Sequence, residues 1–263
     1  MAVSPFSLKG RRALVTGASS GIGRAVALGL AEQGAELILH HFGNEKGAKD
    51  VALAIRSGTP VLEANFTDEQ ATQAFCDLVL REYGPLDILV ANAAIENRVP
   101  WEDINADHIG THVASNFSAL LTLTAKLVPP MAERGWGRVV ATGSVMADRP
   151  RAETLVYASL KAAQLTAVRA IAREVGHRGV TLNVVSPGAI EIEANTVRYK
   201  DSTFRSAVTA KIPAGRQGQP QDLVGAFVFL CSDAASYITG ANIPVDGGWS
   251  IGDAPGVLPK VAG

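Results

Sequence analysis

The sequence predicts an α/β fold, a doubly wound, seven-stranded parallel sheet with helices on both faces. Three observations predict it. Strand-like and helix-like segments alternate along 263 residues, and such βα alternation builds a parallel sheet covered by helices. The fourth candidate strand, Leu86-Asp-Ile-Leu-Val-Ala, is apolar enough to be buried on both faces. A glycine-rich turn joins the first strand to the first helix, the place where open α/β sheets bind ligands.

The elements follow in order. Arg12-Ala-Leu-Val-Thr reads as the first strand and residues 22–33 as the first helix. Glu36-Leu-Ile-Leu-His is the second strand, with a helix after Asn44. Thr59-Pro-Val-Leu-Glu-Ala is the third, followed by a helix from Asp68, its N-cap, to Tyr83. The fourth strand leads into a long helical stretch over residues 101–131. Arg138-Val-Val-Ala-Thr, the fifth strand, precedes the helix bearing Tyr157. Val180-Thr-Leu-Asn-Val-Val is the sixth, with helical stretches over residues 195–210 and 220–232 after it. Asn242-Ile-Pro-Val-Asp is the last strand, because Pro244 suits an edge. No linker interrupts the pattern, so residues 1–263 read as one domain with a substrate lid at about 190–212. The tail after Trp249, rich in Gly and Pro, reads as irregular.

Composition excludes several classes. Lys and Arg total 24 against 25 Asp and Glu. That balance leaves no basic field for nucleic acid or an anionic membrane. No apolar run nears the ~18 residues of a membrane span, and the N-terminus lacks the apolar core of a signal peptide. A cytoplasmic protein is expected. Cys76 and Cys231 are too few for a disulfide framework or a Cys-rich zinc site, and no metal is expected.

Chemistry concentrates in two motifs. Thr16-Gly-Ala-Ser-Ser-Gly-Ile-Gly places Gly17, Gly21 and Gly23 between strand and helix. Glycine allows the backbone to approach a pyrophosphate, which the free N–H groups of the helix N-terminus then bind. No Asp or Glu stands at the end of the second strand, where an acid would accept from a ribose 2′-hydroxyl. His41, Asn44 and Lys46 stand there instead, which favours NADP(H) over NAD(H). The second motif is Tyr157 and Lys161, on one helical face at i and i+4. A lysine ammonium beside a phenol is expected to lower the tyrosine pKa, giving an acid/base for carbonyl reduction or alcohol oxidation.

Together these motifs resemble the short-chain dehydrogenase/reductase family from about Leu8 to Trp249. Asp87-Ile-Leu-Val-Ala-Asn-Ala-Ala is similar to the family's fourth-strand end, Ser186-Pro-Gly to its nicotinamide loop, and Ile212-Pro-Ala-Gly-Arg with Thr239-Gly-Ala-Asn-Ile-Pro-Val-Asp-Gly-Gly to its C-terminal third. Asn116, Ser144, Tyr157 and Lys161 fall in the order and spacing of its catalytic tetrad. The resemblance implies a Rossmann-type fold and hydride transfer between nicotinamide C4 and a carbonyl or secondary alcohol. Ser144 would hold the substrate oxygen, Tyr157 would protonate it, Lys161 would bond the nicotinamide ribose, and Asn116 would hold a relay water. It further implies cofactor contacts at Gly17, Ser19, Ser20, Gly21, Ile22 and Gly23, at Asn65 and Phe66 beside adenine, and at Asn92, Ala93, Pro187, Gly188 and Ile190 beside nicotinamide. A homotetramer or dimer is implied as well. Charged and amide side chains at 96–98 and through the lid point to a small polar or anionic substrate. The alternatives are an NAD-dependent sugar or polyol dehydrogenase and, in another class, a cofactor-binding sensor or scaffold without turnover.

Overall fold

The computed structural model describes residues 4–252. Most of the tail after Trp249, expected to be irregular, lies outside the described residues.

Seven parallel strands form one sheet in the order β3-β2-β1-β4-β5-β6-β7. They are β1 (Arg12–Val15), β2 (Glu36–His41), β3 (Val61–Glu63), β4 (Ile88–Ala91), β5 (Gly137–Thr142), β6 (Val180–Pro187) and β7 (Asn242–Val245). Side chains alternate across a strand, and the core divides accordingly. Leu14, Leu89, Val139 and Leu182 face one apolar layer, completed by α3 (Glu69–Tyr83), α5 (Ala119–Glu133) and α6 (Leu155–Val175). Ala13, Val15, Ile88, Val90, Val140 and Val185 face the other, under α1 (Gly21–Glu32), α2 (Glu45–Ile55) and α9 (Gln221–Cys231). The expected doubly wound architecture is present, with Pro244 in an edge strand.

Two expected helices are broken, each for a visible reason. The stretch 101–131 is a short 3₁₀ turn at Trp101–Asp103, then α4 (Ala106–Val113), a π-helical turn at Ala114–Ser118, and α5. Asn105 starts α4 by accepting from the His108 N–H at 2.9 Å. The stretch 195–210 is α7 (Thr196–Tyr199) and α8 (Ser202–Thr209). Asp201 between them accepts from the N–H groups of Thr203 and Phe204, so the helix restarts at a new cap. No helix among the described residues is long and apolar enough to cross a membrane.

The winding reverses at β1, whose neighbours are β2 and β4. In an open α/β sheet this switch point opens a crevice beyond the carboxyl ends of the strands. The turn after β1 and Asn92-Ala93 after β4 line that crevice.

Candidate active site

The turn after β1 is shaped so that only glycine fits. Gly17 and Gly21 have φ of +64° and +51°, conformations that side chains disfavour. A Cβ on Gly23 would stand 2.1 Å from the Gly17 carbonyl oxygen. Asn92 staples the turn to the sheet. Its Nδ2 donates to the Thr16 and Gly17 carbonyls, its backbone N–H to Thr16 Oγ1, and its Oδ1 accepts from the Thr142 hydroxyl. Ala93 N–H also donates to Thr16 Oγ1, at 2.9 Å. Three strand ends are thereby tied together. Ser20 precedes α1 without a side-chain cap, and no acidic residue occupies the first turn. Neither the cap residue nor the first turn of α1 therefore supplies an anion to this helix N-terminus. This cradle, which any Cβ at Gly23 would fill, fits a dinucleotide pyrophosphate. Gly17, Ser19, Ser20, Gly21, Ile22, Gly23, Phe66, Asn92 and Ala93 all line the cleft.

The end of β2 departs from expectation. His41 is 2 % exposed and its Nδ1 has no hydrogen-bond partner; it does not line the cleft. Asn44 caps α2, accepting from the Gly47 N–H at 3.1 Å, and Asn65 accepts from the N–H and hydroxyl of Thr67. Neither lines the cleft. His40 and Phe42 do, because strand side chains alternate and theirs share the face opposite that of His41. The His40 ring stacks on Phe66 with centroids 4.0 Å apart. Its Nδ1 accepts from the Gly17 N–H at 3.2 Å, so Nε2 carries the proton and donates to the Ala64 carbonyl at 3.0 Å.

Burial pushes the His40 pKa down to about 4. The unfolded chain, near 6.5, binds the proton first, so stability from this group is full above about 6.5 and falls as pH drops towards 4. The cost is about 3 kcal/mol across that window. Thermal unfolding of wild type and His40→Gln from pH 7 to 4 checks it: the wild-type curve is expected to fall more steeply, and parallel curves would refute the assignment.

The reactive groups gather at the carboxyl ends of β4 and β5. Ser144 follows β5 and accepts from the Met146 N–H at 3.1 Å. Tyr157 and Lys161 share a face of α6, the Lys161 Nζ 5.5 Å from the phenol ring centroid. Lys161 is 4 % exposed and donates to the Thr142 carbonyl. Tyr157 lines both the cleft at the switch point and a second pocket that holds Ser144, Pro187, Gly188 and Ile190. Lys161 lines the first cleft with it. The π turn carries Asn116, whose Oδ1 accepts from the Ile95 N–H and whose Nδ2 donates to the Ile95 carbonyl, both at 2.8 Å. Its amide therefore clamps the loop after β4.

The expected drop in the tyrosine pKa is also overturned. Burial raises the Tyr157 pKa, Glu96 raises it further, and the Ser144 hydrogen bond and Arg98 oppose them. Burial likewise pushes Lys161 down to about 8. Helical spacing put the cation beside the phenol, but desolvation, invisible in the spacing, is the largest cause of the shift. The phenol keeps its proton.

The second pocket has a charged mouth and an aromatic wall. Arg98 is held between Glu96 at 2.6 Å and Glu153 at 3.0 Å. Arg151 faces the Trp249 ring and Arg198 the Phe204 ring, at 5.7 and 4.7 Å from their centroids.

Residues 17–250 match the profile described as enoyl-(acyl carrier protein) reductase. The chain is 36% identical to the 3-oxoacyl-(acyl-carrier-protein) reductase FabG of Salmonella typhimurium over 92% of this chain and 98% of that protein. The chain belongs to the short-chain dehydrogenase/reductase family. Gluconate 5-dehydrogenase of Gluconobacter oxydans is 34% identical over 94% of this chain and 97% of its own. Among solved structures, a gluconate 5-dehydrogenase from Burkholderia cenocepacia in complex with NADP and tartrate superposes with a TM-score of 0.87 at 31% identity, covering 95% of this chain and 98% of that one. This short-chain dehydrogenase/reductase is an NAD(P)-dependent oxidoreductase acting between a carbonyl and its alcohol.

Sequence reasoning had missed Thr16 and Thr142, which hold the site together, and His40. The period of two along β2 was the available signal for His40, since it separates His40 and Phe42 from His41.

Proposed function

We propose that Tyr157 is the acid/base of this reaction and that NADP(H) is favoured over NAD(H). The observation that carries the first part is the position of Tyr157 where the cofactor cleft meets the Ser144 pocket. When bound, the cofactor supplies or accepts the hydride. Ser144 donates to the substrate oxygen and orients it. Tyr157 gives its hydroxyl proton to that oxygen in reduction and takes it back in oxidation. Lys161 binds the ribose from the floor of the cleft. Asn116, clamped on Ile95, fixes the loop between the two pockets. Gly17, Ser19, Ser20, Gly21, Ile22 and Gly23 hold the pyrophosphate, and His40 and Phe66 border the adenine. Pro187, Gly188 and Ile190 flank the nicotinamide.

Two findings support NADP(H). His40 and Phe42, at the end of β2 and facing the cleft, bring no acid to repel a 2′-phosphate, and the Burkholderia cenocepacia relative was solved in complex with NADP. Steady-state rates with NADH and NADPH test it, and a strong NADH preference would count against it.

The substrate read from the second pocket is a small polar carbonyl or alcohol with an anionic group. Arg98, Arg151 and Arg198 against Glu96 leave the lining net cationic, and among the described residues Arg198 forms no ion pair with a carboxylate. One relative was solved with tartrate. Arg198→Ala is expected to raise KM about fivefold for a hydroxy-acid substrate, the modest loss proper to an exposed charge. KM for an uncharged alcohol should stay put. A panel of sugar acids, polyols and 3-oxoacyl thioesters, followed at the nicotinamide absorbance, decides the class. We also propose that the chain is a single cytoplasmic domain with a lid at about 190–212, working as a homotetramer or dimer.

A further inference from the structure

The seat of the pyrophosphate holds an anion that belongs to the protein itself. Glu193 Oε2 accepts from the Gly21 N–H at 3.0 Å, at the first residue of α1. Among the described residues Glu193 forms no ion pair and no other hydrogen bond. Its neighbour Ile192 presses on the same turn, with Cγ2 3.3 Å from where a Cβ on Gly21 would stand.

The segment that delivers this carboxylate is built, not loose. At its base, Ile190 pairs with Gly218, and the Glu191 N–H donates to the Gly218 carbonyl at 2.9 Å. Arg205 holds Glu191 at 2.9 Å. Asn195 then folds the segment back on itself. Its Oδ1 accepts from the Ile192 N–H and its Nδ2 donates to the Ile190 carbonyl, at 2.9 and 2.8 Å. Thr196 donates to the Ile192 carbonyl at 2.9 Å. Glu193 stands at the tip of this folded turn, over the N-terminus of α1.

We propose that Glu193 is an internal latch: its carboxylate takes the phosphate seat at Gly21, and an incoming dinucleotide displaces it. The inference rests on the reading of that turn as the pyrophosphate site. A helix N-terminus has a few free N–H groups aimed at one point, and two anions cannot share them. Entry of the cofactor breaks the Gly21–Glu193 bond, forms one to phosphate, and sends Glu193 into water. The same segment supplies Ile192, Asn195, Arg198 and Tyr199 to the substrate pocket. Lifting its tip therefore reshapes that pocket.

Fluorescence titration of NADPH, ADP and inorganic pyrophosphate into wild type, Glu193→Gln and Glu193→Ala tests the latch. Glu193 is exposed, so both variants are expected to fold. Affinity for all three ligands should rise, about threefold in Glu193→Gln, which keeps an acceptor without charge, and about tenfold in Glu193→Ala. Adenosine, which has no phosphate, should bind all three proteins alike. Equal or weaker NADPH binding in the variants, with wild type binding normally, overturns the latch alone. Weaker binding would make Glu193 a cofactor ligand instead. Failure of all three proteins to bind any dinucleotide overturns the cofactor reading and the latch with it.

Discussion

Tyr157→Phe is expected to lower kcat about a thousandfold while leaving the Kd for NADPH within about twofold, the loss typical of removing a positioned acid/base. The variant deletes one oxygen and keeps the ring, so packing on α6 is preserved. Single-turnover rates and a cofactor titration on the same preparation separate the two effects. Turnover near wild type would remove Tyr157 from the mechanism. The raised tyrosine pKa adds a direction to the pH profile. Below its pKa the phenol is protonated, which is the form needed for reduction and the wrong form for oxidation. Reduction is therefore expected to be flat between about pH 6 and 8, while oxidation rises up to about tenfold per unit as the phenolate fraction grows. A reduction rate that collapsed over that range would show the phenol already ionising.

Gly23→Ala is expected to abolish cofactor binding, by a hundredfold or more in Kd, an order-of-magnitude estimate from closing the cradle. The added Cβ would stand 2.1 Å from the Gly17 carbonyl oxygen and 2.6 Å from Asn92 Nδ2. The first is backbone and the second is the amide that ties the turn to the sheet, so neither yields cheaply. The turn must open, and the Thr16–Asn92 bonds open with it. A loss of stability of about 1–3 kcal/mol should accompany the loss of binding, as for other overpacked sites. Gly225→Ala is the control: a Cβ there meets nothing within 4 Å, and helix interiors favour alanine. Normal NADPH binding by Gly23→Ala would sink the reading of this turn as the pyrophosphate seat.

The two variants differ in how they could be read from sequence. Gly23 was legible because a tight strand–helix turn has few solutions, and its spacing to Gly17 and Gly21 is local. The same holds for the strand order of apolar runs, for the Asp68 cap, whose side chain accepts from the Ala71 N–H, and for the i,i+4 pairing of Tyr157 with Lys161. The helix breaks at Asn105 and Asp201 were written in capping residues that the sequence reading passed over. The π turn at Ala114–Ser118 had no such mark. It follows from packing, since Asn116 must reach Ile95, 21 residues away in sequence.

By itself, then, the sequence determined the doubly wound sheet and the tight glycine turn after β1, because each depends on periodicity or on spacing within a few residues, while Asn116, Ser144, Tyr157 and Lys161 were singled out by resemblance to the family. Tertiary structure alone decided three things. It decided that burial raises the Tyr157 pKa, because desolvation depends on everything packed around it. It decided that His40 and Phe42 rather than His41 face the cleft, because the neighbouring elements set which side of this strand end opens on the crevice. And it decided that Glu193 meets Gly21 across 172 positions of chain, because only the folded segment after β6 brings a carboxylate to the end of α1.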